Sequence, residues 1–253
     1  AIHTIDDPRL LTDEVRKWAE KARKEKKVRF FGFCTHRSMD GCLRAAADLD
    51  WIDGIQTVYN YRLQQIGTME EALHKCHRKG IGVFAIKTMG LTVLREAELQ
   101  KLPLREEAMR AALAAADLSF EQARLRAVWQ NPGVSAICSM MPGTEILRAN
   151  ALAASDPRPL SADLRRRLSD YADGTARYYC RRCGACDAAN TDQIPIFDLM
   201  EALMYLRGYG LKALAAARFG QMPAEVRGRS GSSDYAAAEA RCPQKMPIAE
   251  LMK

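Results

Sequence analysis

The chain has 253 residues, 48% of them apolar, enough for a sizeable core and one or two domains. Its formal charge is +7, yet the basic residues are spread over helical faces (Lys17, Lys21, Arg23, Lys24, then Arg165, Arg166 and Arg167). They lack the aromatic interleaving that stacks bases, so they read as solvated surface and argue against a nucleic-acid partner. No apolar run approaches the roughly 18 residues of a membrane-spanning helix, and no secretory signal is visible at the start.

In chain order, Thr12 is placed to cap a helix expected over 13–26, followed by a buried strand over 28–34. A helix over 39–49, a strand over 52–58, a helix over 69–79 and a strand over 82–86 continue the alternation. An extra helix over 104–116 is either a cover for a barrel mouth or an ordinary surface insertion. Ser119 opens S-F-E-Q, with Gln122 at the capping-box position, ahead of a helix over 120–130. A strand over 134–139 and a helix over 144–153 complete this part. Apolar strands alternating with helices argue a parallel sheet. No G-x-G-x-x-G follows any strand, which disfavours the open dinucleotide-binding sheet and favours a (β/α) barrel with function at the carboxyl ends of its strands.

From about residue 156 the strands stop, at Pro157-Arg158-Pro159. Helices are expected from Ser161 to about Tyr171, then over 197–206, 211–219, 224–227 and 234–241, with a last turn over 248–253. The expected division is therefore a barrel part at 1–155 and a small all-helical part at 156–253. Two segments of the second part are alike: I-P-I-F-D-L-M at 194–200 and M-P-I-A-E-L-M at 246–252.

The chemistry-bearing feature lies between them. Cys180, Cys183 and Cys186 form C-x2-C-x2-C, and Cys242-Pro243 stands far downstream. Three thiols on one tight loop plus a distant Cys-Pro suit a 4Fe-4S cluster. Zinc would more often show two separated C-x2-C pairs or Cys/His mixtures, and a disulfide framework suits small secreted chains. Both remain alternatives. The other four cysteines, Cys34, Cys42, Cys76 and Cys138, have no ligand-like spacing and are expected to be buried thiols.

K-V-R-F-F-G-F-C-T-H, W-I-D-G-I-Q-T-V-Y-N-Y-R-L and G-I-G-V-F-A-I-K-T-M-G together resemble the aldo/keto reductases. The tail narrows the resemblance to the bacterial branch with a C-terminal ferredoxin-like region. Its residues are Leu203-Met204-Tyr205, Asp234-Tyr235, Glu239, Cys242-Pro243 and Met246-Pro247-Ile248. The resemblance implies an α/β fold: a partial TIM (β/α)8 barrel, strands 4 to 8, followed by the helical iron–sulfur domain. It implies hydride transfer between NAD(P) and a small carbonyl or alcohol substrate.

Of the family's Asp, Tyr, Lys and His tetrad, only the His is matched, by His3 in Ala1-Ile2-His3. The other three fall on strands with no counterpart here, so activity is expected to need a missing N-terminal half of the barrel. The resemblance assigns Thr35, His36 and Gln56 to the nicotinamide carboxamide, and Ser139 and Asn150 to the adenine side. Lys87 stands where many members place an aromatic ring on the nicotinamide. Met140 and Ile146 stand where members that prefer NADP carry cations for the 2′-phosphate, and Arg148, two residues along the helix, points elsewhere. The alternative reading is a non-catalytic electron-transfer or assembly subunit, a degenerate half barrel carrying a cluster for a partner redox chain. Reduced cysteines around a cluster suit the cytoplasm, with an exported, periplasmic protein as the alternative.

Overall fold

The structure, a computed structural model, describes residues 1–64, 66–90, 105–141, 143–156, 158–189 and 194–253. They form two compact units: one of Ala1–Gly90 and Glu107–Ser169, the other including Asp170–Lys253.

The first unit is α/β. Its strands are β1 (Gly32–Thr35), β2 (Gly54–Val58), β3 (Gly82–Ile86) and β4 (Ala136–Ile137). They lie side by side in chain order, all parallel. Ile2 adds an isolated parallel bridge to Phe33, its N–H donating to the Gly32 carbonyl (2.9 Å) and its carbonyl accepting from Cys34 (2.8 Å). Consecutive neighbours with no switch in order are what an arc of a (β/α) barrel requires, and a doubly wound sheet would break that order. Between and around the strands run α1 (Asp13–Lys24), α2 (Met39–Ala46), α3 (Gly67–Arg78), α4 (Arg105–Ala115), α5 (Phe120–Trp129) and α6 (Thr144–Ser155).

The pleat gives the sheet two different faces. Phe33, Thr35, Ile55, Thr57, Val83 and Ala85 are all essentially buried. This is the helix side, where Leu43, Ala46, Leu73 and Cys76 of α2 and α3 are fully enclosed. The opposite row pairs Cys34, Gln56, Phe84 and Ala136 in register. It is far less covered: the Phe84 side chain remains 41% exposed. At the amino ends Gly32, Gly54 and Gly82 align. A Cβ at Gly32 would come within 2.0 Å of the Gly54 carbonyl oxygen, so only glycine lets β1 and β2 approach there.

Both expected caps form. Thr12 Oγ1 accepts from Val15 N–H, and Ser119 and Gln122 make the reciprocal capping box. The strand expected over 28–34 is shorter than its apolar run, for a physical reason. β2 begins at Gly54, and the bond from the Asp53 N–H to the Phe31 carbonyl (2.8 Å) opens the pairing of β1 with it. The Phe31 N–H donates to Asp53 Oδ2 (2.6 Å) and the Phe31 ring packs edge-on to Trp18, while Phe30 is 71% exposed. Likewise β4 keeps two residues of the expected six. The extra helix α4 buries Met109 and Leu113 on one face. Residue 104, its expected start, lies outside the described residues.

Helix α7 (Ala162–Gly174) straddles the division between the units, which falls at Ser169–Asp170 and not at 155–156. The second unit is all helical among its described residues. α8 (Ile196–Leu203) runs on into a π-turn (Met204–Gly208), then come α9 (Lys212–Gly220), α10 (Ala224–Arg229), α11 (Ala236–Arg241) and α12 (Ile248–Leu251). Its core gathers Cys186, Ile194, Phe197, Met200, Tyr235, Ala238, Met246, Ile248 and Leu251.

The two like segments fold alike. Pro195 (φ −74°, ψ 77°) and Pro247 (φ −76°, ψ 73°) each form an inverse γ-turn. The turns close with Ile196 N–H to Ile194 O and Ile248 N–H to Met246 O, both 2.8 Å. A helix starts directly after each, and equivalent N–H groups find carboxylates: Phe197 donates to Asp187 Oδ1 (2.8 Å) and Ala249 to Glu239 Oε2 (3.3 Å). These acids satisfy helix-start donors that proline-led turns leave without a side-chain cap.

Candidate functional site

Two groups of the expected residues come together, one in each unit. In the first unit they gather at the carboxyl ends of the strands. The rings of His3 and His36 lie 5.3 Å apart, centroid to centroid. Asp6 fixes this corner: its Oδ1 accepts from the His36 N–H (2.5 Å), the Arg37 N–H (3.0 Å) and the Thr35 hydroxyl (3.4 Å). Thr35 itself is fully buried, on the helix side, and its one hydroxyl proton is shared between Asp6 and the nearer Arg37 carbonyl (2.9 Å). Its side chain therefore orders the loop from below, whereas His3 is exposed at the surface.

Gln56 sits on the less covered face, as its register requires. Its Oε1 accepts from Cys34 Sγ (2.9 Å) and its Nε2 donates to Cys138 Sγ (3.6 Å). One amide thus links two thiols from β1 and from the end of β4. Burial pushes the Cys34 thiol up from its ordinary value, with Cys138 adding to the shift. Cys138, expected to be a buried thiol, is exposed because it follows the short β4 on the open face. Cys34, Cys42 and Cys76 are buried as expected. Neither Cys34 nor Cys138 stood out in the sequence; only the register, Cys34 opposite Gln56, could have signalled the link.

Asn150 Nδ2 donates to Ser139 Oγ (3.2 Å), so these two residues meet across the turn between β4 and α6. Lys87 follows β3 with its backbone in the left-handed region (φ 53°), and its carbonyl accepts from Asn60 Nδ2 (3.2 Å). The expected positions at Met140 and Ile146 are exposed, 86% and 43%.

In the second unit the cysteine loop carries two residues with left-handed backbone, Arg182 (φ 65°) and Gly184 (φ 76°). They curl it tightly enough for the Arg182 N–H to donate to Cys180 Sγ (3.4 Å). The distant Cys242 is brought in by Gln244. Its Oε1 accepts from the Arg181 N–H (2.8 Å) and its Nε2 donates to the Tyr179 carbonyl (3.2 Å), bracketing Cys180. Burial pushes the Cys180 thiol up to about 12, with Cys183, Cys186 and Cys242 adding to the shift. Cys186 is also pushed up to about 12, by burial, then Asp187 and Cys183. Cys180 and Cys186, whose charged forms burial disfavours, become anionic only beside a compensating cation, which is the donor chemistry a metal needs. All eight cysteines are free thiols. Among the described residues, however, no three His, Cys, Asp or Glu side chains stand close enough together to hold a metal ion. The four sulfurs are neighbours and not a closed ligand shell.

Arg182, between two of these cysteines, is buried and pairs with the buried Glu201 while lying over the Phe197 ring at 5.5 Å. Its charge is thus engaged by α8. Gln244 and the Arg182–Glu201 pair were not singled out in the sequence. Gln244 could have been, as the one amide within two residues of Cys242.

No family model and no curated protein matches the chain. Among solved structures it is similar to a thermostable aldo-keto reductase crystallised with the inhibitor epalrestat, at 18% identity and a TM-score of 0.37. The match takes in 62% of this chain and 66% of that one, just under two thirds of its length. Among the described residues no helix is long and apolar enough to cross a membrane.

Proposed function

We propose that this chain is part of an oxidoreductase of the aldo/keto reductase kind, in which an arc of barrel serves a nicotinamide-dependent carbonyl reaction and the helical unit holds a 4Fe-4S cluster. The observation that supports the reading is the Gln244 clamp, which ties the Cys242 turn to the backbone on either side of Cys180. Cys180, Cys183, Cys186 and Cys242 would hold the cluster, which supplies either a structural pin or a single-electron station.

In the first unit, His3 would orient and polarise the carbonyl oxygen, and His36, whose ring lies 5.3 Å from it, would face the nicotinamide carboxamide. Gln56, held by Cys34, turns its amide onto the open face, where it would meet a carboxamide. Ser139 and Asn150, already joined, would take the adenine side, and Thr35 would keep the His36 loop in place. Lys87 would offer a cation to a substrate carboxylate or a phosphate. A bound nicotinamide supplies the hydride. The proton that completes the alcohol would come from a Tyr supported by Lys and Asp on a further part of the barrel.

The test is metal and sulfide analysis of anaerobically purified protein with its visible spectrum. About four irons per chain and broad charge-transfer absorption are expected, both lost in Cys242→Ala. Zinc in place of iron, or iron unaffected by Cys242→Ala, would refute the reading.

A further inference from the structure

The second unit contains an apolar groove remote in character from the cysteine loops. It is a cavity of about 300 Å³ bounded by α8, the π-turn, α9 and α12. Leu199, Ala202, Ala215 and Leu251 form a buried floor, while Leu206 (41% exposed) and Phe219 (38% exposed) stand as walls. The π-turn widens the helix just where Leu206 projects, a distortion that costs backbone hydrogen-bond quality and is common at functional sites.

The polar inventory of the groove is short. Ser230 Oγ already donates to the Arg227 carbonyl (2.9 Å). Among the described lining residues, Lys212 carries the one charge. Lys212 is also the first residue of α9, a nine-residue helix with no side-chain cap and no acid in its first turn. A cation at that end opposes the helix dipole; the Lys212 N–H already donates to the Gly210 carbonyl (3.1 Å), and the helix has no side-chain cap. An anion placed there would answer the ammonium and the helix start together. Apolar walls with a cation at the exposed rim are one pattern of a small-molecule site of this size.

We propose that this groove binds a medium-chain amphiphilic carboxylate, of the fatty-acid class, with its chain between Leu206 and Phe219 and its head on Lys212 at the start of α9. This goes beyond the redox reading and does not depend on it.

The experiment is calorimetric titration of the full chain with decanoate, decanol and decylamine. Decanoate is expected to bind once per chain, and the neutral and cationic analogues at least about ten-fold more weakly, a difference a single charge-assisted contact supplies. Lys212→Glu should weaken decanoate about ten-fold. That variant places an acid where the helix dipole favours one, so it should keep the fold. Ala216→Trp, at an exposed lining position, should fill the groove and abolish binding. No binding of decanoate, binding indifferent to head group, or binding untouched by both variants would each overturn the proposal. So would concentration-dependent dimerisation removed by Ala216→Trp without decanoate binding, which would give the groove to a second copy of the chain.

Discussion

The fate of single side chains separates what spacing can announce from what it cannot. The cysteine loop and Cys242 were legible as a set, because ligand spacing is written in sequence. Their placement by Gln244 was not, because it rests on two hydrogen bonds across more than sixty residues. Cys138 shows the reverse failure: its neighbours read as a buried strand, but β4 stops at Ile137 and leaves the thiol in solvent. It should therefore be the first of the four non-loop cysteines alkylated by iodoacetamide at pH 8, read by peptide mass spectrometry. Cys42 and Cys76, pushed up to about 11 by burial, should stay unlabelled in the native protein. Thr57 offers a stability prediction. Its hydroxyl is buried on the helix face with no partner among the described residues, between Thr35 of β1 and Ala85 of β3. Thr57→Val keeps the shape and removes the stranded hydroxyl, so it should raise the urea unfolding free energy by about 1 kcal/mol.

At the scale of elements, helix starts were the best-read features, since Thr12 and Ser119 cap with their own side chains. Strand lengths were the worst read. An apolar run states burial, while a strand ends where its neighbour ends, and β2 begins at Gly54 whatever precedes Gly32. The paired turns at Pro195 and Pro247 were visible as likeness, but the acids that serve their helices were not. Asp187 follows a cysteine and Glu239 precedes one by three residues, positions that look like loop filler in sequence. Replacing either by Ala should cost about 0.5–2 kcal/mol. The loss should be larger for Asp187, whose hydrogen bond is the shorter (2.8 against 3.3 Å), as read by thermal unfolding of the two variants side by side.

For the molecule as a whole, acid behaviour follows from carboxylates with opposite shifts. Asp156 is held below its ordinary 3.8 by side-chain and backbone hydrogen bonds from Arg158 and by the nearby buried Arg126. Its contribution to stability is complete above 3.8 and lost as pH falls through the lower folded value. Burial raises Glu70 above its ordinary 4.5, so its contribution is present below that value and lost as pH rises through the folded one. Urea unfolding of Asp156→Asn should therefore differ from the parent chain at neutral pH, and the two curves should converge as the pH drops well below 3.8. If the gap is the same at pH 7 and in strong acid, Asp156 is not the group responsible. The order of the strands was readable from their alternation with helices, and so was the change to an all-helical second part. The division within α7 was not, because a continuous amphipathic helix shows no break where its packing partner changes. The duplicated turn in the second unit has one more consequence. Each γ-turn closes on its own backbone hydrogen bond and leads into a helix packed in the shared core, so the 246–252 segment is a self-contained plug. A chain refolding at high concentration could seat the 246–252 segment of one molecule in the place of its own in another. Exchanged dimers should then accumulate with concentration and fall apart only on unfolding.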